Sequence, residues 1–227
     1  MRVRLVTLVI MTALAGSLGA CGESAKKSDE QLAAGKALLE QGKFDAALAP
    51  LQRAVELNRD SMDAQVALGN AYRGLKRYDE AIDAFRTAKK IDRYVVTPHI
   101  ASAMTRVETG QIEMATDELN HVIELDPKNL QAKILLGRVS MIPHRLPDGS
   151  VGVSRSSLER AEMNLETAVQ VAPDNVEAQR ELALAYEKLG KNAAALKTWT
   201  LVRDLAAKRA GNEPFAAEAA AALERLK

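Results

Sequence analysis

Three observations predict an all-α fold of stacked helical hairpins, the solenoid class. Ala, Leu, Glu, Lys and Arg dominate the 227 residues and aromatics make up only 4%, a composition that favours helix over strand. Alanines recur at Ala47, Ala81, Ala115, Ala161 and Ala195, spaced 34, 34, 46 and 34 residues apart. A second set, Gly35, Gly69, Ala103, Gly137 and Ala183, is spaced 34, 34, 34 and 46. A period of this length marks a repeated supersecondary unit. The two sets agree if 12 extra residues lie between Gly137 and Ala161. Hydrophobic residues at 47% exclude a disordered chain. A balance of 31 basic and 30 acidic residues lacks the basicity that nucleic-acid binding calls for.

The first element is an address. Arg2 and Arg4 precede the apolar run Leu5–Ala15, and mostly small residues follow to Ala20. This is the order of a secretory signal, and the run is shorter than the roughly 20 residues that span a bilayer. Leu18-Gly19-Ala20-Cys21 resembles the bacterial lipobox. The resemblance implies a signal peptide over residues 1–20 and a first mature residue, Cys21, carrying a diacylglyceryl group and a further acyl chain such as palmitate. One chain alone would anchor weakly. Cys21 is the only cysteine, so no disulfide framework is possible. The next residue is Gly22 rather than the Asp that resembles an inner-membrane retention signal, which implies the periplasmic face of the outer membrane. Residues 21–27, with the polar stretch running on to Ser28, read as a lipidated flexible tether.

The repeats come next. Four residues after each alanine of the first set stand Leu51, Phe85, Leu119, Leu165 and Trp199, and three further on Ala54, Ala88, Val122, Ala168 and Val202. The second unit reads Leu68-Gly69-x-x-Tyr72, then Tyr78-Asp-Glu-Ala81-x-x-x-Phe85-x-x-Ala88. The pattern resembles the tetratricopeptide repeat (TPR), a helix–turn–helix unit. The resemblance implies a right-handed α-solenoid of about five repeats over residues 28–209: 28–61, 62–95, 96–129, 130–175 and 176–209. The small residues Gly35 to Ala183 admit close helix approach, and the large residues fill the spaces between hairpins. Gly42, Gly110 and Gly190 stand where first helices must end in a left-handed turn. Pro127 and Pro173 end two second helices. Repeat three carries Ser102-Ala103 and Arg106 where repeat two has Leu68-Gly69 and Tyr72, which predicts a less well filled interior. Residues 210–227 read as a capping helix, with Ala219–Leu223 covering the last hairpin.

The added residues fall in 142–153. Pro143 and Pro147 exclude helix, Asp148-Gly149 signals a tight turn, and Ser156 with Glu159 reads as a capping box. A loop this long inside a repeat is a candidate partner contact, although long surface loops are also cheap to tolerate. His99, His121 and His144 lie in different units at no metal-ligand spacing, and motifs for catalytic nucleophiles, phosphate loops or zinc helices are absent from the sequence. The expectation is a protein with no catalytic site, metal, cofactor or small-molecule substrate.

In repeats of this kind the first helices line the partner-binding groove. One stripe of those helices holds Leu32 and Lys36, then Val66, Asn70 and Arg73, then Ile100 and Met104, then Ile134 and Arg138, then Arg180. Aliphatic residues at Leu32, Val66, Ile100 and Ile134 predict an apolar floor, or else a row buried by adjacent hairpins. With the interspersed cations, the floor suits an amphipathic or partly acidic peptide segment. Leu32 and Ala67 stand where the carboxylate clamp of chaperone-binding relatives needs polar residues. The lipobox and repeat together resemble lipoproteins of envelope assembly, the type IV pilus pilotins and the Tad pilus lipoprotein. That implies a membrane-anchored scaffold or assembly factor. Two alternatives stay open: a general scaffold for cell-wall or outer-membrane protein biogenesis, and a chaperone for exported cytochrome or polysaccharide machinery.

Overall fold

The protein is described by a computed structural model over residues 23–145, 150–208 and 210–226. The signal segment, Cys21 and the turn residues Pro147, Asp148 and Gly149 lie outside the described residues. The chain divides into two compact units between Thr109 and Gly110. The first holds α1 (residues 23–40), α2 (Phe44–Leu57), α3 (Met62–Gly74), α4 (Tyr78–Ile91) and α5 (Val96–Glu108). The second holds α6 (Ile112–Leu125), α7 (Leu130–Ser140), β1 (His144–Arg145), β2 (Val151–Gly152), α8 (Arg155–Val171), α9 (Val176–Lys188), α10 (Asn192–Ala206) and α11 (Glu213–Arg225). This is an all-α helical-repeat fold with one small ribbon.

The expected tether is corrected by the structure. Residues 23–28 are helical and open α1. Ser24 Oγ and Ser28 Oγ donate to the carbonyls of Leu57 and Ala54 at 3.0 and 2.9 Å. The Leu57 carbonyl lies at the end of α2, where intrahelical donors run out, and the Ala54 carbonyl accepts from Ser28 as well as from the Asn58 N–H at 3.0 Å. A stretch that reads as polar linker is held as helix by its two hydroxyls.

Each hairpin closes around a small residue. A Cβ on Gly69 would lie 2.5 Å from the Phe85 ring, and one on Gly35 or Gly137 2.4 Å from Leu51 or Leu165. Phe85 is fully buried and shares a cluster with Val66, Ala81, Ala88 and Ala101, so one side chain joins α3, α4 and α5. Trp199 does the same in the second unit, among Ala183, Ala195 and Val202, with Ala219 and Ala222 of α11 closing the cluster. At repeat three, two positions on α5 are buried hydroxyls: Thr105 Oγ1 donates to the Ala101 carbonyl at 2.9 Å, and Ser102 Oγ accepts from Lys89 at 3.4 Å.

The turns follow one geometry. Gly42, Gly110 and Gly190 have φ of 70, 75 and 73°, and Lys76 takes the same place in repeat two at 61°. The next N–H reaches back to Leu38, Tyr72 or Tyr186 at 2.9 Å, which satisfies a helix-end carbonyl. Counting on by 34 from Gly110 reaches His144, and here the chain leaves the pattern to form an antiparallel ribbon pairing His144 with Gly152 and Arg145 with Val151. The capping box expected at Ser156 is corrected: the cap is Ser154, whose Oγ accepts from the Ser157 N–H at 3.1 Å. Past the ribbon the chain reaches a cap two residues sooner, and Glu159 pairs with Arg155 at 3.0 Å instead. That extra start makes α8 17 residues long, against 14 in α2, α4 and α6.

Candidate interaction surface

The first-helix face of each unit carries the stripe read from the sequence, and its aliphatic members Leu32, Val66, Ile100 and Ile134 are buried. Leu32, Val66, Ile100 and Ile134 are 9, 9, 7 and 5% exposed. Leu32 lies in a cluster with Leu51, Ala64 and Leu68, Val66 touches the group holding Ala101, and Ile134 packs with Ala178. The physical reason is position. Leu32, Val66 and Ile134 stand at the joint between one first helix and the next, and the following helix covers them. The expected open apolar floor is therefore corrected to a buried row. Half-buried side chains remain at Leu39, Asn70, Met104 and Val107 in the first unit and at Leu184 in the second.

The cations of the stripe are not free either. Lys36 Nζ lies 3.2 Å from Asp63 on α3, and Arg73 Nε 3.8 Å from Glu108 on α5, with its Nη1 donating to Met104 Sδ at 3.6 Å. In the second unit Arg138 Nη2 lies 2.6 Å from Glu177 and 2.9 Å from Glu181. Arg180 Nη1 meets Glu181 at 2.7 Å, while its Nε and Nη2 donate to both oxygens of Glu218 at 2.6 and 2.8 Å. The result is a ladder of charge-assisted bonds running α7–α9–α11. Burial alone would lower the Arg138 pKa, but the bond to Glu177 and the charge of Glu181 outweigh it and hold the guanidinium above its ordinary value. For Arg180 the Glu218 bond is the largest effect, and it raises the pKa against burial. A partner carboxylate at this face must therefore exchange with a carboxylate of the same chain, which sets specificity more than raw affinity.

The acidic halves of these pairs escape a reading of the stripe alone. They carry a signal in the repeat register. The residue just after the small position is Lys36, Asn70, Met104 or Arg138, and the residue six before the next small position is Asp63, Thr97, Gln131 or Glu177. Where the first is a cation the second is an acid, and where the first is uncharged so is the second. Among the described residues no cluster of His, Cys, Asp and Glu is arranged to hold a metal.

A model of the tetratricopeptide repeat matches residues 32–95 and 153–202, together half of the chain. The chain belongs to the tetratricopeptide repeat family. Among solved structures, it is similar to pilF of Pseudomonas aeruginosa, with a TM-score of 0.68 and 19% identity over 90% of this chain and 93% of that one. It is also similar to TTC0263, a TPR protein of Thermus thermophilus, at 0.66 and 19% over 86% and 98%. A third is YrrB, described as a TPR protein with an unusual peptide-binding site, at 0.58 and 19% over 87% and 94%. At these identities the likeness is one of fold. A 57-residue stretch is 40% identical to the protein O-mannosyl-transferase Tmtc3 of Drosophila melanogaster, and spans 25% of this chain but 6% of that protein. A TPR array of this kind is a protein-interaction scaffold.

Proposed function

We propose that this TPR chain is a lipid-anchored assembly factor of the cell envelope, held through Cys21 at the periplasmic face of the outer membrane and acting as a pilotin-like helper for a pilus or secretion pore. The observation that carries the reading is the lipobox-type sequence Leu18–Cys21 directly ahead of a repeat array whose first helix begins by residue 23. Its fold likeness to pilF supports the repeat half of that pairing. The partner is an amphipathic or partly acidic protein segment. It contacts the half-open Asn70, Met104 and Val107 and the exposed Lys36 in the first unit, and Leu184 with the solvent side of Arg138 in the second. No catalytic step, cofactor, metal or nucleic acid enters this function.

The test is to change Cys21→Ser in full-length protein, fractionate the envelope and follow assembly of the pore multimer. The reading predicts release from the membrane fraction and loss or mislocation of the multimer. Wild-type membrane retention would remove the anchor, and intact assembly in a deletion strain would remove the pilotin-like role.

A further inference from the structure

We infer that the inserted ribbon of repeat four builds a second binding site, a polar cleft between α6, α7 and α8 that takes one basic side chain of a protein partner. The site lies within the second unit, uses none of the first-helix stripe, and does not depend on the lipid anchor.

The cleft encloses about 220 Å³. Sites for whole small molecules run from about 300 to 1,000 Å³, so the space fits a single long side chain better than a free metabolite. Its α6 wall carries Glu113 and Asp117, one turn apart and therefore on one face. Both are exposed, and neither has an ion pair among the described residues. This sets them apart from the acids of the first-helix ladder, each of which already faces a cation of its own chain. Two unpaired carboxylates at this spacing would flank one ammonium or guanidinium group.

The other walls supply acceptors. Ser140, at the end of α7, lines the cleft and is 5% exposed, and its Oγ has no hydrogen-bond partner. A buried hydroxyl left in that state is an exception that a bound donor relieves. His144 lines the cleft because the ribbon puts it there, at the place where Gly42, Lys76, Gly110 and Gly190 make the turn in other repeats. Its Nδ1 lies 3.1 Å from the Ile142 carbonyl. In the neutral tautomer which that contact selects, Nδ1 donates and Nε2 remains an acceptor. Arg160 stands exposed among the lining residues from α8 and offers donors to a carbonyl or carboxylate beside the basic residue. The ligand is thus a basic side chain with an acidic or bare backbone neighbour. The imidazole comes from the twelve-residue insertion.

The probe is a phage-displayed random dodecapeptide library, selected on the detergent-purified full chain. The inference predicts enriched peptides with Lys or Arg at one fixed position. Binding of such a peptide should fall at least tenfold on Glu113→Gln with Asp117→Asn, or on replacing the peptide's basic residue by norleucine. Ser140→Ala should weaken it less, about threefold to tenfold, while Leu201→Glu on α10, exposed and outside the cleft, leaves it unchanged. Circular dichroism on each variant separates lost binding from lost fold. No enriched peptide, enrichment without a basic position, or equal binding by the doubly substituted chain would overturn the inference.

Discussion

Arg180 grips Glu218 with two parallel bonds, at 2.6 and 2.8 Å, and so ties the last helix to the first helix of repeat five. The side chains are 26 and 37% exposed, which screens the pair. Glu218→Ala is therefore expected to cost about 1 kcal/mol, and to cost it locally. Arg225 still reaches Glu187 at 2.7 Å and keeps α11 docked. Hydrogen exchange should quicken about fivefold over α11 and stay unchanged over α7. Equal quickening across the second unit would show that α11 is not a separable cap.

Glu181 is 2% exposed and sits between Arg138 and Arg180. In the other repeats its position holds Ala33, Ala67, Ala101 and Leu135. Replacing a buried ion cluster with apolar residues is often neutral or stabilising, whereas orphaning one member costs about 3–5 kcal/mol. Glu181→Leu should therefore melt near wild type, because Glu177 and Glu218 still serve the two guanidinium groups. Arg138→Met with Arg180→Met should lower stability by about 3–5 kcal/mol, since the buried carboxylate loses both partners. Denaturant titration of the two variants checks the order. The reverse order would mean the ladder is held mainly by Glu181.

The backbone gives a pair of opposite expectations. Gly69→Ala drives a methyl to 2.5 Å from the Phe85 ring, which must shift at the joint of three helices. Overpacking of this sort costs about 1–3 kcal/mol. Lys76→Gly removes a side chain from a left-handed residue at φ 61°. It should gain up to about 1 kcal/mol, less the entropy that glycine adds to the unfolded chain. Thermal melts should move down for the first and up, or not at all, for the second. A clear loss with Lys76→Gly would mean that the lysine side chain makes a contact worth more than the strain.

Ile100→Glu distinguishes an open floor from a buried row. At 7% exposure the new carboxylate is buried without a partner, and the expected loss is about 3–5 kcal/mol. Met104→Glu, one turn further and half-buried, should cost under about 1 kcal/mol. Equal stability of the two variants would return Ile100 to the open face.

Much of the fold is legible in the sequence because a repeat makes each hairpin vouch for the others. The small positions, the large residues four after the alanines and the left-handed glycines all recur at one period, and each has one physical job. Lys76 shows the limit of residue type as a signal, since register puts it in the left-handed turn where composition would not. The surface is less legible for a related reason. An aliphatic residue at i, i+34 looks the same whether it faces a ligand or the next repeat, and Leu32, Val66 and Ile134 prove to do the second. Long-range pairing decided the cations as well: Lys36 is read as free until Asp63, 27 residues on, is brought to it. Arg138 and Glu177 repeat that pair 39 residues apart, the same register lengthened by the insertion. Ser24 and Ser28 turned an expected tether into helix through bonds to α2, which no local pattern announces.

The central claim is that a protein segment lies along the first-helix faces, and site-specific photocrosslinking in intact cells tests it most directly. Benzoylphenylalanine placed at Met104, half-buried on α5, is compared with the same probe at Met163, 61% exposed on the second helix α8. The account predicts one discrete crosslinked partner from Met104 and none from Met163, although Met163 is the more accessible. A partner captured at Met163 and absent at Met104 would contradict it.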